Sequence, residues 1–173
     1  ANAGGGAAGS TLYACTLSGN VTHGSYFGGG GAHGCTLSNC VVTNNAADWS
    51  AGGGVSESTA YNCLISNNSA QYGGGAYEAS VYNCTLSGNS ASYGGGEETS
   101  TLVNCLITSN TASSDGGGAY YGTLINCTVT GNTSSSGFGG GACNATVENS
   151  IVYYNLGGVL ASDDYACTLI NSC

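Results

Sequence analysis

A fixed interval of nine residues recurs through this chain, from the last glycine of a glycine cluster to a cysteine. It joins Gly6 to Cys15, Gly31 to Cys40, Gly54 to Cys63, Gly75 to Cys84, Gly96 to Cys105, Gly118 to Cys127 and Gly158 to Cys167. It also joins Gly141 to Ser150, which makes eight copies in 173 residues. Successive cysteine positions lie 25, 23, 21, 21, 22, 23 and 17 residues apart, so all the variation falls between the cysteine and the next glycines. A constant segment alternating with a variable one marks a repeat architecture. The copies are shorter than propeller blades, which need about 40 residues, and they lack the apolar face of helical repeats. A unit of this length suits one coil of a parallel β-helix with three short strands. The expectation is a single all-β domain over residues 1–173, a β-solenoid of about eight coils with ~21–23 residues in each.

The columns of the repeat agree with this. Three residues before the cysteine stand Leu12, Leu37, Ala60, Val81, Leu102, Leu124 and Val147. Two after it stand Leu17, Val42, Ile65, Leu86, Ile107, Val129, Val152 and Leu169. The two apolar columns are not separated by a multiple of two, so a bend lies between them. Asn39, Asn62, Asn83, Asn104, Asn126 and Asn149 occupy that bend, and asparagine tolerates the left-handed conformation of a corner. A second column (Asn20, Asn45, Asn68, Asn89, Asn110, Asn132 and Asn155) reads as the turn that ends the strand. One coil cannot bury its own apolar face. Coils stacked about 4.8 Å apart bury it as continuous columns, giving a rod roughly 35–40 Å long.

Composition narrows the partners. The chain has no Lys or Arg and a net charge of −9, so nucleic acid and anionic membrane surfaces are excluded as partners. No apolar run approaches the roughly 18–20 residues of a membrane span. Ten cysteines and a first residue that is Ala, not Met, point to a processed chain in an oxidising compartment, secreted or at the cell surface.

Seven cysteines (Cys15, Cys40, Cys63, Cys84, Cys105, Cys127 and Cys167) share one column. Two arrangements fit them: a stack of reduced, buried thiols, or disulfides between neighbouring coils. A linear column does not suit tetrahedral zinc. Cys35, Cys143 and Cys173 lie off the column and are candidates for surface or intermolecular bridges, Cys173 foremost.

The stretch from Tyr82 to Gly96, with its Asn-Cys-Thr-Leu-Ser-Gly-Asn core, resembles the repeats of bacterial secreted right-handed parallel β-helix proteins. These are related in pattern to polymorphic outer-membrane adhesins and autotransporter passengers. Asn149 to Asn155 resembles the last coils of such arrays. The resemblance implies a right-handed helix and a structural or adhesive role. The lyases of this fold need a cation site and an Arg or Lys base, and this chain has neither basic residue. Its glycosidases need converging carboxylates. Glu57 and Glu78 share a column and Glu98 lies one position away on the next coil, which a solvated face explains. Glu97 interrupts a column of Ala and Val, while His23 and His33 stand alone. No catalytic residue, cofactor or metal is expected.

The expected function is that of an extracellular structural subunit. Both ends of a coil stack carry unpaired backbone groups, and neither end of this chain shows a capping pattern, so head-to-tail self-association into a filament follows. The alternative is a piece of a larger adhesin that binds glycans, through loop aromatics such as Trp49, Tyr72, Tyr93 and Phe138. Hydroxyl residues at Ser18, Thr43, Ser66, Ser87, Thr108 and Thr130 resemble part of an ice-binding face. Candidate glycan attachment sites are Asn20, Asn67, Asn132 and Asn144, while Asn83 and Asn126 are set aside as inner bends.

Overall fold

A computed structural model describes residues 4–23, 28–157 and 163–173, and these described residues form thirty short strands and no helix. Every strand pair is parallel, and each strand pairs with its equivalent one coil away. The strands sort into four walls. The first wall has eight strands, from Ala7–Ala8 to Asp164–Tyr165, and the second eight, from Thr11–Tyr13 to Thr168–Ile170. The third has seven, from Thr16–Ser18 to Ile151–Tyr153, and the fourth seven, from Val21–His23 to Leu156–Gly157. The described chain is thus a parallel β-helix of seven coils and the first half of an eighth. Each coil has four strands and not three.

The fourth strand follows from a five-residue period. Left-handed φ angles recur at Gly52 (71°), Glu57 (48°), Asn62 (52°) and Asn67 (53°), five residues apart, and the pattern returns in the other coils. Each such residue turns a corner. The residue after it points inward, and the middle residue of the following three-residue strand also points inward. In the second and third walls these strand-centre residues are the two apolar columns, and Leu37, Val81, Leu102, Leu124, Ile65, Leu86 and Ile107 are fully buried. A third column from the first wall, Ala32, Val55, Ala76, Ala119 and Ala142, closes the core. The interior is narrow. A Cβ on Gly54 would meet the Gly75 carbonyl oxygen at 2.5 Å, Ile65 Cγ2 at 2.9 Å and Asn68 Nδ2 at 3.0 Å, so that position admits no side chain.

The corner asparagines Asn39, Asn62, Asn83, Asn104, Asn126 and Asn149 have φ of 48–55°. They are exposed corners and not inner bends. The second asparagine column does not turn the chain. The turn belongs to the residue before each member, such as Asn44, Asn67, Gly88 and Ser109. Asn45, Asn68, Asn89, Asn110 and Asn132 face inward and are at most 1% exposed. Each Oδ1 accepts both the backbone N–H and the Nδ2–H of its equivalent one coil earlier, as in Asn68 N–H to Asn89 Oδ1 (2.9 Å) and Asn68 Nδ2 to Asn89 Oδ1 (3.0 Å). Their Nδ2 groups also donate to wall carbonyls, Asn89 to Ile65 O at 3.0 Å. This column satisfies corner groups that the narrow coil hides from water.

The last coil departs from the nine-residue count. Gly158 and Val159, from which that count starts, lie outside the described residues. Thr168 and Leu169 pair with Thr146 and Val147 in the second wall. Cys167 therefore occupies the corner of Cys35 and Ala145, one side earlier than its interval implies. The position equivalent to Cys127 and Ser150 falls on Ser172, whose Oγ accepts the Ser150 N–H at 3.1 Å.

Candidate functional site

The cysteine positions form an inner corner between the second and third walls. Each Sγ lies beside the carbonyl two residues earlier, and those of Cys40, Cys63, Cys84 and Cys105 accept the N–H of the equivalent residue one coil before. Cys63 Sγ donates to Tyr61 O (3.2 Å), and Cys63 N–H donates to Cys84 Sγ (3.1 Å). Cys15, Cys40 and Cys84 repeat the second bond with Cys40, Cys63 and Cys105 at 3.4–3.5 Å. Where the chain has serine, the bonds persist: Cys127 N–H donates to Ser150 Oγ (2.8 Å) and Ser150 Oγ to Glu148 O (2.7 Å). A thiol here satisfies backbone and fills space, and a hydroxyl does the same. All ten cysteines are free thiols in this structure. A hydrogen bond with Cys63 and burial push the Cys84 thiol up, and the same pairing with Cys105 acts on Cys127.

The off-column cysteines differ from one another. Cys35 and Cys143 are 3% and 2% exposed and so unsuited to surface bridges. Burial, then Asp115 and Cys167, push Cys143 up to about 12. Cys173 is exposed.

Glu97 is fully buried in the first-wall column between Ala76 and Ala119. Its Oε2 accepts the Ser100 N–H at 2.9 Å. At the same corner elsewhere, that N–H finds the next coil's side chain, as Cys35 N–H finds Ser58 Oγ (3.0 Å) and Ala79 N–H finds Ser100 Oγ (3.1 Å). For Ser100 the next coil offers Gly122, which has no side chain. A Cβ there would lie 1.9 Å from Glu97 Oε1. Gly122 thus removes an acceptor and opens a space, and Glu97 fills both. Its Oε1 has no partner, and burial holds its carboxyl well above the usual range, with Glu98 and Cys127 adding to the rise.

Outside this wall, one column runs His33, Ser56, Tyr77, Glu98, Tyr120 and Cys143 on consecutive coils. The corner beside it carries exposed Glu57 and Glu78. Burial, then Glu78, raise Glu98 to about 7. Burial, then the contact with Glu78, raise Tyr77 to about 12. His33 Nδ1, Ser56 Oγ and Glu98 Oε2 are buried without partners, but Ser56 is fully covered and is no nucleophile. Among the described residues, no three His, Cys, Asp or Glu side chains are placed to hold a metal ion.

The outer faces sort the remaining candidates. Asn132 is fully buried and its Nδ2 donates to Ile107 O and Asn155 Oδ1 at 2.9 Å, which rules it out as a glycan acceptor in the folded chain. Asn20 spends its Nδ2 on Asn45 Oδ1 (2.9 Å) in the same column. Asn67 is exposed, and Asn144 half-buried. Along the third wall, hydroxyl residues alternate with Val41, Leu64, Leu106 and Ile151. The second wall carries an unbroken outward hydroxyl column: Thr11, Thr36, Thr59, Ser80, Thr101, Thr123, Thr146 and Thr168. That column lies four residues before each cysteine-corner position, a spacing that the sequence itself carries.

The loop aromatics take two forms. Tyr72, Tyr93 and Tyr120 pack ring against ring, with centroids 5.9 and 5.4 Å apart, and shelter the edge of the first wall. Phe138 stacks on Tyr165 at 4.3 Å. Trp49 stands apart, 83% exposed, with a left-handed φ of 62°. Its strand, Ala46–Ala51, is two residues longer than the facing stretch: Ala47 pairs with Ala70 and Ala51 with Tyr72. The surplus forms a bulge whose inner residue, Ser50, is buried and accepts the Gly28 N–H at 3.2 Å.

The sequence profile of the right-handed β-helix region matches residues 3–121. No curated protein matches the chain.

Proposed function

The chain belongs to the right-handed β-helix family, and we propose that it is a non-enzymatic structural protein acting outside the cell or at its surface. Its coil stack serves as a rigid rod whose outer faces meet other surfaces. The second wall carries this proposal: eight strands in unbroken register present eight hydroxyl side chains on one face while the centres of the six inner strands are spent on the core. Corner thiols, hydroxyls and amides are engaged with backbone in the same way, which leaves them structural work.

Growth by stacking is part of the proposal. Coil joins coil through backbone pairing between equivalent strands, so an open coil edge accepts a coil of a second copy by the same bonds. Head-to-tail addition yields a filament, and the exposure of Cys173 supports an intermolecular disulfide that locks a junction. Negative-stain electron microscopy and light scattering test this. Fibres that persist in dilute buffer, with an axial repeat of roughly 35–40 Å or slightly more, are expected. Monodisperse monomers at high concentration overturn the filament. Covalent dimers on non-reducing gels, lost in Cys173→Ser, are the expected sign of the lock. An adhesive role toward glycans is favoured by one observation, the bulge at Trp49.

A further inference from the structure

We infer that the cleft beside Trp49 is a binding subsite for one uncharged pyranose ring of a glycan chain. The inference rests on the surface-contacting role proposed above and is independent of filament assembly.

Three observations meet there. The first is the bulge itself. Two extra residues in the fourth wall, anchored inside by Ser50, turn a single indole out to solvent. Bulges re-aim side chains and gather beside functional sites. The second is an added corner. Trp49 follows the left-handed Asn44 by five residues and turns the chain once more with a φ of 62° before Gly52, which aims the indole outward. The two following coils make the same connection without this corner, their Tyr72 and Tyr93 folding onto each other. The third is the cleft, an open hollow of about 320 Å³ lined by Ala47, Asp48, Trp49, Ser69, Ala70 and Gln71. His23 Nδ1 lies 2.9 Å from Asp48 Oδ2, which orients the carboxylate and leaves its other oxygen to accept.

The chemistry of the lining selects the ligand. A flat indole face takes the apolar C–H face of a sugar ring. Asp48 accepts hydrogen bonds, while Ser69 and Gln71 both donate and accept. A ring of hydroxyls, each donor and acceptor at once, matches that mixture, and a few polar groups around an apolar platform are the usual make-up of a small-molecule site. An anionic sugar is opposed by Asp48 and by the net charge of −9, with no Lys or Arg to offset them. An organic cation needs acceptors alone, and half of what Ser69 and Gln71 offer is donors.

Trp49 is the only tryptophan in the chain, so indole emission of the intact protein reports on this cleft directly. The probes are cellohexaose, xylohexaose and mannohexaose, with hexagalacturonate and choline as charged comparators. At least one neutral hexasaccharide is expected to shift the emission to shorter wavelength, saturating with a Kd on the order of 0.01–1 mM. By calorimetry, Trp49→Ala is expected to weaken that binding at least tenfold, and Asp48→Asn or Gln71→Ala several-fold, with circular dichroism unchanged. Asp48 and Trp49 are exposed on the bulge and Gln71 is half-buried on the facing strand, so none of the three side chains belongs to the core. The inference is overturned if no neutral probe shifts the emission up to about 10 mM, if only choline or hexagalacturonate does, or if Trp49→Ala binds as the parent does. Filaments without sugar binding sink this inference alone, and sugar binding by a monomer sinks the filament alone.

Discussion

Glu97 and Gly122 show how far one residue depends on another a coil away. A carboxyl that is neutral and buried is stable while it keeps its proton. Its folded-state pKa lies above the ordinary glutamate range, chiefly through burial. Between those two values the folded chain holds a proton that the unfolded chain has released. Stability is therefore full below the ordinary glutamate range and falls as pH rises through and above it. Glu98, raised to about 7 by burial and Glu78, adds a smaller, solvent-screened loss in the same direction. Thermal melts should show a higher midpoint at about pH 4.5 than at about pH 8, and Glu97→Gln should flatten much of that difference. The packing of the pair is open to a double-mutant cycle. Gly122→Ala alone drives a methyl into Glu97 Oε1 and should cost about 1–3 kcal/mol in urea unfolding. In a Glu97→Ala background the same change should be nearly neutral, since alanine is the neighbouring residue in both columns. Strict additivity of the two changes would disprove the contact.

At the scale of the element, the unit is the five-residue side: one left-handed corner, one inward polar or thiol residue, and a strand of three. Two asparagine columns, six residues apart in sequence, do opposite jobs on it. Asn83 turns an exposed corner with a φ of 54°, so Asn83→Ala should cost about 1–2 kcal/mol for the left-handed backbone and Asn83→Gly very little. Asn89 faces inward, accepts two bonds from Asn68 and donates to Ile65 O. Asn89→Ala strands several buried polar groups at about 1–3 kcal/mol each, and Asn89→Gly offers no relief. Equilibrium unfolding of the four variants separates the two roles. The variable length of the repeat is confined to the fourth wall and the glycine approach, where two extra residues in Ala46–Ala51 are absorbed as a bulge. The other walls have core columns on the inside, and a length change there would turn the wrong side chain inward.

For the whole molecule, stability is a sum over coils and the contacts between neighbours. Removing residues 64–84, one coil of 21 residues, joins Cys63 to Thr85 with every column in register. That variant should fold to a β-rich stack with a lower melting midpoint. Removing 64–79 instead places Ser80 after Cys63 and moves each later column by one wall. It should fail to give a cooperative melt, and equal stability of the two deletions would contradict the stacked-coil account.

The repeat, the parallel β-helix and the two apolar columns were legible in the sequence because they recur at fixed intervals, and periodicity survives without coordinates. The number of sides was not. The nine-residue interval from glycine to cysteine spans nearly two sides, so it hid the five-residue period and carried Cys167 one side too far. The inward asparagines looked like turn residues because composition alone does not distinguish a residue at a corner from its neighbour. Glu97 could be flagged as a break in its column, but its partner Gly122 could not, since only stacking brings that glycine against the carboxyl. Trp49 likewise read as one aromatic among several until coil pairing showed that its strand carries two residues more than its neighbour. What the sequence determines alone is what repeats along the chain. What the tertiary structure decides is which residues of adjacent coils meet, and that depends on the backbone pairing that sets one coil about 4.8 Å above the next.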